Sequence, residues 1–155
     1  MAGMEATLIP GEIAPRLPHP PARGPRPGWR RGGRVDNAVG VVAGGGRGSG
    51  AASARMFAAR GAKVVVNDID ADAACLSAAA VGGIAVPGDA STEAGVEMLI
   101  GTARELAGPI DVYCANAGVA RAGLADAAEE EWETSWQMNV MAHVRASKAL
   151  IPQWV

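Results

Sequence analysis

At 155 residues with a formal net charge of −2, the chain is long enough to bury one core and carries no overall basic excess to draw it onto nucleic acid. Its two cysteines, Cys75 and Cys114, lie far apart and form no C-x-x-C pair, so a reduced, cytoplasmic setting is expected, with Cys114 a small buried hydrophobe. His19 and His143 are isolated, which gives a metal site no support, and no apolar run approaches the ~20 residues of a membrane span.

Residues 1–35 hold seven of the ten prolines and six of the fourteen basic residues, against only Glu5 and Glu12. Such a segment cannot sustain a core and is expected to be a disordered tail. It does not read as a secretory leader, because Pro10 breaks its one apolar patch. Its arginines suit anionic partners in principle, but a solvated tail, or translated sequence upstream of a true start, is the plainer reading. Beyond it, residues 36–155 carry fourteen acidic and eight basic residues, so nucleic-acid binding is not expected there either.

In the second segment, strand and helix signals alternate. An apolar run over 38–42 is followed by Ala43-Gly44-Gly45-Gly46-Arg47-Gly48-Ser49-Gly50 and a helix of small residues over 51–60, closed by Gly61. A glycine run this dense also suits a flexible linker. Between a strand and a helix it reads instead as a phosphate loop, where the backbone turns sharply and aims free N–H groups at negative charge. Gly44, Arg47, Gly48, Ser49 and Gly50 are the expected phosphate-binding set.

The run over 63–68 is β-branched, too short for a helix and typical of a strand buried on both faces. It ends in Asp68, eighteen positions after Gly50, where an acid accepts hydrogen bonds from the adenosine ribose of NAD and repels a 2′-phosphate. Arg47 is the counter-signal, because a guanidinium pairs with that phosphate; NAD rather than NADP is the expectation. Asp68 is equally a candidate cap for the next helix, as are Asp70 and Asp72. Further elements are expected as a helix over 71–80, a strand over 83–87, a helix over 92–106, a strand over 110–115 and a helix over 129–154. In the last, Trp132, Trp136, Val140, Val144 and Ala146 form the apolar set. This order predicts an α/β fold, a doubly wound parallel sheet of Rossmann-like type.

The glycine spacing G-x-x-x-G-x-G of Gly44, Gly48 and Gly50 resembles the T-G-x-x-x-G-x-G signature of the short-chain dehydrogenase/reductase family. Three later landmarks extend the resemblance over residues 37–155. Gly88-Asp89-Ala90 is similar to the segment whose Asp contacts the adenine ring, which implies that Asp89 and Ala90 bind cofactor. Asp111 to Gly118 is similar to D-x-L-V-N-N-A-G, which implies that Asn116, Ala117 and Gly118 pass beneath the nicotinamide ribose. Trp132 and Asn139-Val140 resemble W-x-x-x-x-x-x-N-V, which implies that Asn139 is the catalytic Asn whose backbone holds a water of the proton relay. On residue type alone, a helical Asn is more often a solvated surface residue. Three positions depart from the pattern: Ala43 replaces Thr, Ser49 an apolar residue and Ala115 an Asn. The first two are expected to loosen the loop, and the third to remove one hydrogen-bonding side chain.

The resemblance implies an NAD(H)-dependent oxidoreductase interconverting a secondary alcohol and a ketone, with small-molecule partners and a homo-oligomeric state. The family's proton donor is a Tyr with a Lys four positions on and a Ser upstream. Tyr113 is the only Tyr and is followed four positions on by Ala117, while Lys63 and Lys148 are the only lysines. Hydride transfer to a carbonyl needs a proton for the developing alkoxide, so the chain reads as the cofactor half of a longer enzyme, truncated after its fourth strand and helix. A dinucleotide-binding fragment or relic without turnover is the alternative. A methyltransferase-like nucleotide fold is a weaker one, opposed by the Asn-Ala-Gly turn and Asn139. Only strands in the order 3-2-1-4 can be built, leaving the fourth a bare apolar edge. The chain taken alone is therefore expected to melt broadly and bind a hydrophobic dye; a sharp, cooperative thermal transition with low dye binding would overturn this.

Overall fold

The computed structural model describes residues 35–120 and 126–155; the expected tail, except for Val35, lies outside them. Two valine-rich strands set the architecture. β1 (Val39–Ala43) and β2 (Lys63–Asn67) run parallel, from Val39 opposite Lys63 to Ala43 opposite Asn67. β3 (Ile84–Ala85) joins β2, and β4 (Val112–Ala115) joins β1 with Gly40 opposite Val112, giving the order β3-β2-β1-β4.

Side chains alternate across a strand, and here both faces are covered. Val39, Val41 and Val65 point into one core, which α3 (Glu93–Ala107) closes with Val96, Leu99, Ile100 and Ala103, and α5 (Ala142–Trp154) with Ala146 and Leu150. Val42, Val64 and Val66 point the other way, into a core built by α1 (Gly48–Ala59) and α2 (Ala71–Ala80) through Ala54, Ala74 and Ala78. The small side chains of α1 and α2 let both helices lie close to the sheet, and the ring of Phe57 packs over Gly40. This is the expected doubly wound, Rossmann-like sheet.

Element bounds differ from expectation mainly where tertiary partners decide them. β3 is two residues long rather than five; past it, Val86 N–H still donates to the Val66 carbonyl at 2.8 Å and Gly88 N–H to the Asp68 carbonyl at 3.0 Å, with Pro87, which has no N–H, between them. Asp70 caps α2 by accepting from Ala73 N–H, and Thr92 caps α3 by accepting from Gly95 N–H. The helix expected over 129–154 is three pieces: α4 (Glu129–Trp136), a π-helical segment over Gln137–Met141, and α5. The apolar set expected along it is corrected too. Trp132 is 59% exposed, Trp136 53% and Val144 49%, whereas Ala142, Ala146 and Leu150 are buried. The wider helical turn shifts the phase of the helix, so the buried stripe after it does not continue the tryptophan stripe before it.

β4 has β1 as its one partner among the described residues, and all four of its residues are half-buried, in contrast to the fully buried β1. Tyr113 packs against the α3–α5 core. Burial pushes its phenol up to about 12 from an ordinary value of 10.0. Because the folded value lies above the unfolded one, this contribution to stability is complete below the unfolded value and fades as pH rises through the window between the two. Absorbance titration of tyrosinate, unambiguous with a single Tyr, is expected to give a midpoint near 12, with unfolding free energy declining across the same window. A midpoint at the ordinary value in the folded chain would refute the burial.

Candidate functional site

The strands β1, β2 and β4 end together, and a cleft of about 380 Å³ opens beyond their carboxyl ends. Its rim carries Gly44, Arg47, Gly48 and Ser49 from the first loop, Asp68 and Ile69 after β2, Gly88 to Ala90 after β3, and Asn116 to Val119 after β4. Ten of the eleven residues expected to bind cofactor line it. Gly50 is placed behind the loop rather than on its surface.

Glycine is required here by contact and by backbone angle. Gly44 has φ +67°, and a Cβ on it would stand 2.7 Å from the Cα of Ala117. A Cβ on Gly50 would stand 2.0 Å from the Gly44 carbonyl oxygen and 2.7 Å from the amide nitrogen of Asn116. The loop is therefore pressed against the turn after β4, and Asn116 joins the two. Its Nδ2 donates to the carbonyls of Gly44 at 3.0 Å and Ala43 at 3.4 Å, and its Oδ1 accepts from the Ser49 hydroxyl at 2.9 Å. Ser49 thus does not loosen the loop, as expected from its departure from the family pattern; it replaces apolar packing with a hydrogen bond across the joint.

The electrostatics of the helix starts differ sharply. α2 and α3 have capping side chains, and α4 has Glu129, Glu130 and Glu131 in its first turn. α1 has neither a capping hydrogen bond from Arg47 nor an acid in its first turn. Its first N–H groups and the positive end of its dipole are left for an anion. A Cβ on Gly48 would meet nothing within 4 Å, so the cleft is open at that helix start.

Asp68 follows β2 and is half-buried, its Oδ2 accepting from Gly46 N–H at 2.9 Å and its Oδ1 from Asp70 N–H at 3.1 Å. A carboxylate offers about four acceptor positions, so Asp68 retains capacity for two hydroxyls. Arg47 pairs with Asp70 at 2.6 Å. Asp89 Oδ1 takes Ser91 N–H at 2.8 Å, and Ala90 beside it is buried. Asn139, in the π segment, uses both ends of its amide: Oδ1 accepts from Val119 N–H at 3.0 Å and Nδ2 donates to the Val119 carbonyl at 2.8 Å. It fastens the irregular segment after the Asn-Ala-Gly turn to the helix beside the cleft.

Five lining residues were not among those expected to bind: Asn67, Ile69, Gly88, Val119 and Met138. Asn67 had a signal, being the one polar residue in a run of valines. It is 1% exposed and donates to the carbonyls of Val86 and Gly88 at 2.9 and 3.0 Å, which holds the Gly88–Ala90 segment against β2. Ile69, 71% exposed beside Asp68, is an apolar surface with no packing reason to be there. Tyr113 lies in β4 and its raised value takes it away from the range of a proton donor near neutral pH. Cys114 is half-buried rather than buried, its thiol pushed up by desolvation, and Cys75 is exposed. Among the described residues there is no cluster of three potential metal ligands, and no helix is long and apolar enough to cross a membrane.

The family model for short chain dehydrogenases matches residues 38–155, and the chain belongs to that family. Galactitol 2-dehydrogenase of Agrobacterium fabrum is 34% identical over 120 residues, which are 76% of this chain and 47% of that protein. A mutant short-chain dehydrogenase/reductase of Serratia marcescens superposes with a TM-score of 0.72 at 30% identity, over 76% of this chain and 51% of the other. A blue fluorescent protein from a metagenomic library, solved with NADPH, gives a TM-score of 0.70 at 30% identity over the same shares. The chain spans about half or less of the length of the curated relatives it matches.

The joint at Asn116 can be tested by substitution. Asn116→Ala leaves two carbonyls without their side-chain donor and is expected to cost about 1–3 kcal/mol, against no more than about 1 kcal/mol for Ser49→Ala. Urea unfolding of both variants measures the difference; a larger loss in Ser49→Ala would show that the joint depends on something other than the Asn116 amide.

Proposed function

We propose that this chain is the dinucleotide-binding part of an NAD(H)-dependent short-chain oxidoreductase that interconverts a secondary alcohol and a ketone. The observation that carries this is the uncapped start of α1, facing an open cleft beside a carboxylate with acceptor capacity to spare. The residues fit such a group along its whole length. The N–H groups at Gly48 and Ser49 would hold the pyrophosphate, Asp68 the adenosine ribose, and Ile69, Asp89 and Ala90 the adenine. Asn116, Ala117 and Gly118 would support the nicotinamide ribose. When bound, the cofactor supplies or accepts hydride.

Asn139 keeps the role the resemblance gave it. Its side chain is committed to Val119, so its backbone is the part left to hold a water. A π turn supports this, because shifting from i→i+4 to i→i+5 bonding leaves a carbonyl without its usual partner. Proton delivery is different: no Tyr-x-x-x-Lys pair occurs among these 155 residues, and Tyr113 is held in its protonated form by burial. The chain on its own is therefore a binder without turnover, the two ribose hydroxyls favouring NAD at Asp68. A homo-oligomeric, cytoplasmic enzyme with residues 36–155 as one domain completes the reading.

Titration with NADH and NADPH, followed by nicotinamide fluorescence at fixed salt, tests it. Saturable binding of NADH ahead of NADPH is expected, with no oxidation of secondary alcohols. Asp68→Ala is expected to weaken NADH by about tenfold, the loss of a charge-assisted hydrogen-bond pair, and so to relax the preference. A folded chain that binds neither dinucleotide would refute the proposal.

A further inference from the structure

At the Asp68 end of the cleft, the guanidinium of Arg47 is paired with the carboxylate of Asp70. Arg47 lies on the loop and lines the cleft, whereas Asp70, the cap of α2, does not. The two oxygens of Asp70 have separate duties. Oδ1 accepts from Ala73 N–H at 3.0 Å and caps α2; Oδ2 takes Nη2 of Arg47 at 2.6 Å. The backbone N–H of Ala73 and, after it, the guanidinium of Arg47 hold the Asp70 carboxyl below the usual carboxylate range. Asp70 is positioned by its own neighbours as well: its N–H is bound to Asp68 Oδ1 at 3.1 Å. The position of Arg47 is thus set through a chain running from Gly46 through Asp68 to Asp70.

We propose that Asp70 sets the cofactor preference of this cleft by pairing with Arg47, which removes the loop's one cation from the reach of a ribose 2′-phosphate. The inference rests on the dinucleotide reading above and adds to it a residue that touches no cofactor itself. A 2′-phosphate must detach Arg47 from Asp70 and also lie beside Asp68, whereas a 2′-hydroxyl needs only the free acceptor positions of Asp68. Without the charge on Asp70, the same arginine turns from a spent cation into a phosphate ligand. The pair is exposed, with 75% of the Arg47 side chain and 37% of that of Asp70 open to solvent. Its hold is correspondingly modest and falls with salt.

The test uses Asp70→Asn, since Asn caps a helix as well as Asp while lacking the charge, with Asp70→Ser as a second cap-preserving variant. Dissociation constants of the full chain for NADH and NADPH are measured by nicotinamide fluorescence in the natural chain, D70N, D70S, R47Q and D70N/R47Q. Relative to NADH, NADPH is expected to gain about two- to fivefold in D70N and D70S, the scale of a released surface pair. The gain is expected to shrink as salt is raised and to vanish in D70N/R47Q. An unchanged NADPH-to-NADH ratio in both single variants overturns the proposal and leaves the dinucleotide reading standing. An equal gain in D70N/R47Q overturns it as well, because the effect would then be the charge of Asp70 alone. Binding of neither dinucleotide by any of the chains overturns both.

Discussion

The close approach of the first loop to the turn after β4 is what the rest of the cleft hangs on. With the Gly44 carbonyl 2.0 Å from where a Gly50 Cβ would stand, no side chain fits between loop and helix. The turn after β4 lies close as well, with the Ala117 Cα 2.7 Å from where a Gly44 Cβ would stand. Backbone groups packed this tightly need their polar atoms satisfied, and Asn116 donates to the carbonyls of Ala43 and Gly44 while accepting a hydrogen bond from the Ser49 hydroxyl. One amide thereby fixes the end of β1, the loop, the first turn of α1 and the end of β4 relative to one another. A second amide, that of Asn67, does the same between β2 and the segment after β3. A third, that of Asn139, does so between the π segment and Val119. Three asparagine side chains hold the cleft's irregular backbone, leaving the strands to supply stiffness.

Charge follows the same economy. The starts of α2, α3 and α4 are supplied from within, by Asp70, by Thr92 and by a run of glutamates. The start of α1 is left positive and faces the cleft. Acidic groups close by are held back from it: Asp68 bonds to Gly46 N–H rather than to the first turn, and Asp70 is occupied with α2 and Arg47. Local charge is thus kept separate along the rim, with a dipole end at the middle and carboxylates at one side. A long ligand bearing an anion at its centre and hydroxyls at its end meets the corresponding groups in order.

Much of the fold was legible because the strands are short, branched and punctuated by glycine; α2 runs over the residues expected and the sheet order is the one expected. The choice among Asp68, Asp70 and Asp72 as cap was not legible, since local sequence permits all three. It is decided by Gly46, distant in sequence, which claims an oxygen of Asp68. Ser49 was misread for the same reason: its worth depends on Asn116, sixty-seven positions away. The tryptophans of α4 were misread differently. Apolar periodicity records that a helix has an apolar face, but not whether that face meets the sheet, and a constant period cannot follow a helix that changes pitch. Asn67 and Ile69 were visible in the sequence as exceptions, one polar in a valine run and one apolar among acids. The partners that give them meaning appear only in three dimensions.

The π segment also constrains how this region tolerates insertion and deletion. Removing one residue within Gln137–Met141 would restore regular α-helical bonding, a local gain, but would turn everything downstream by about 100° around the helix axis. Ala142, Ala146 and Leu150 would rotate off the core they now close, and the Trp154 indole would leave the Ile110 carbonyl to which it donates at 2.8 Å. The extra residue is therefore a phase setting for the helix, and a length change there is one the packing on either side cannot absorb.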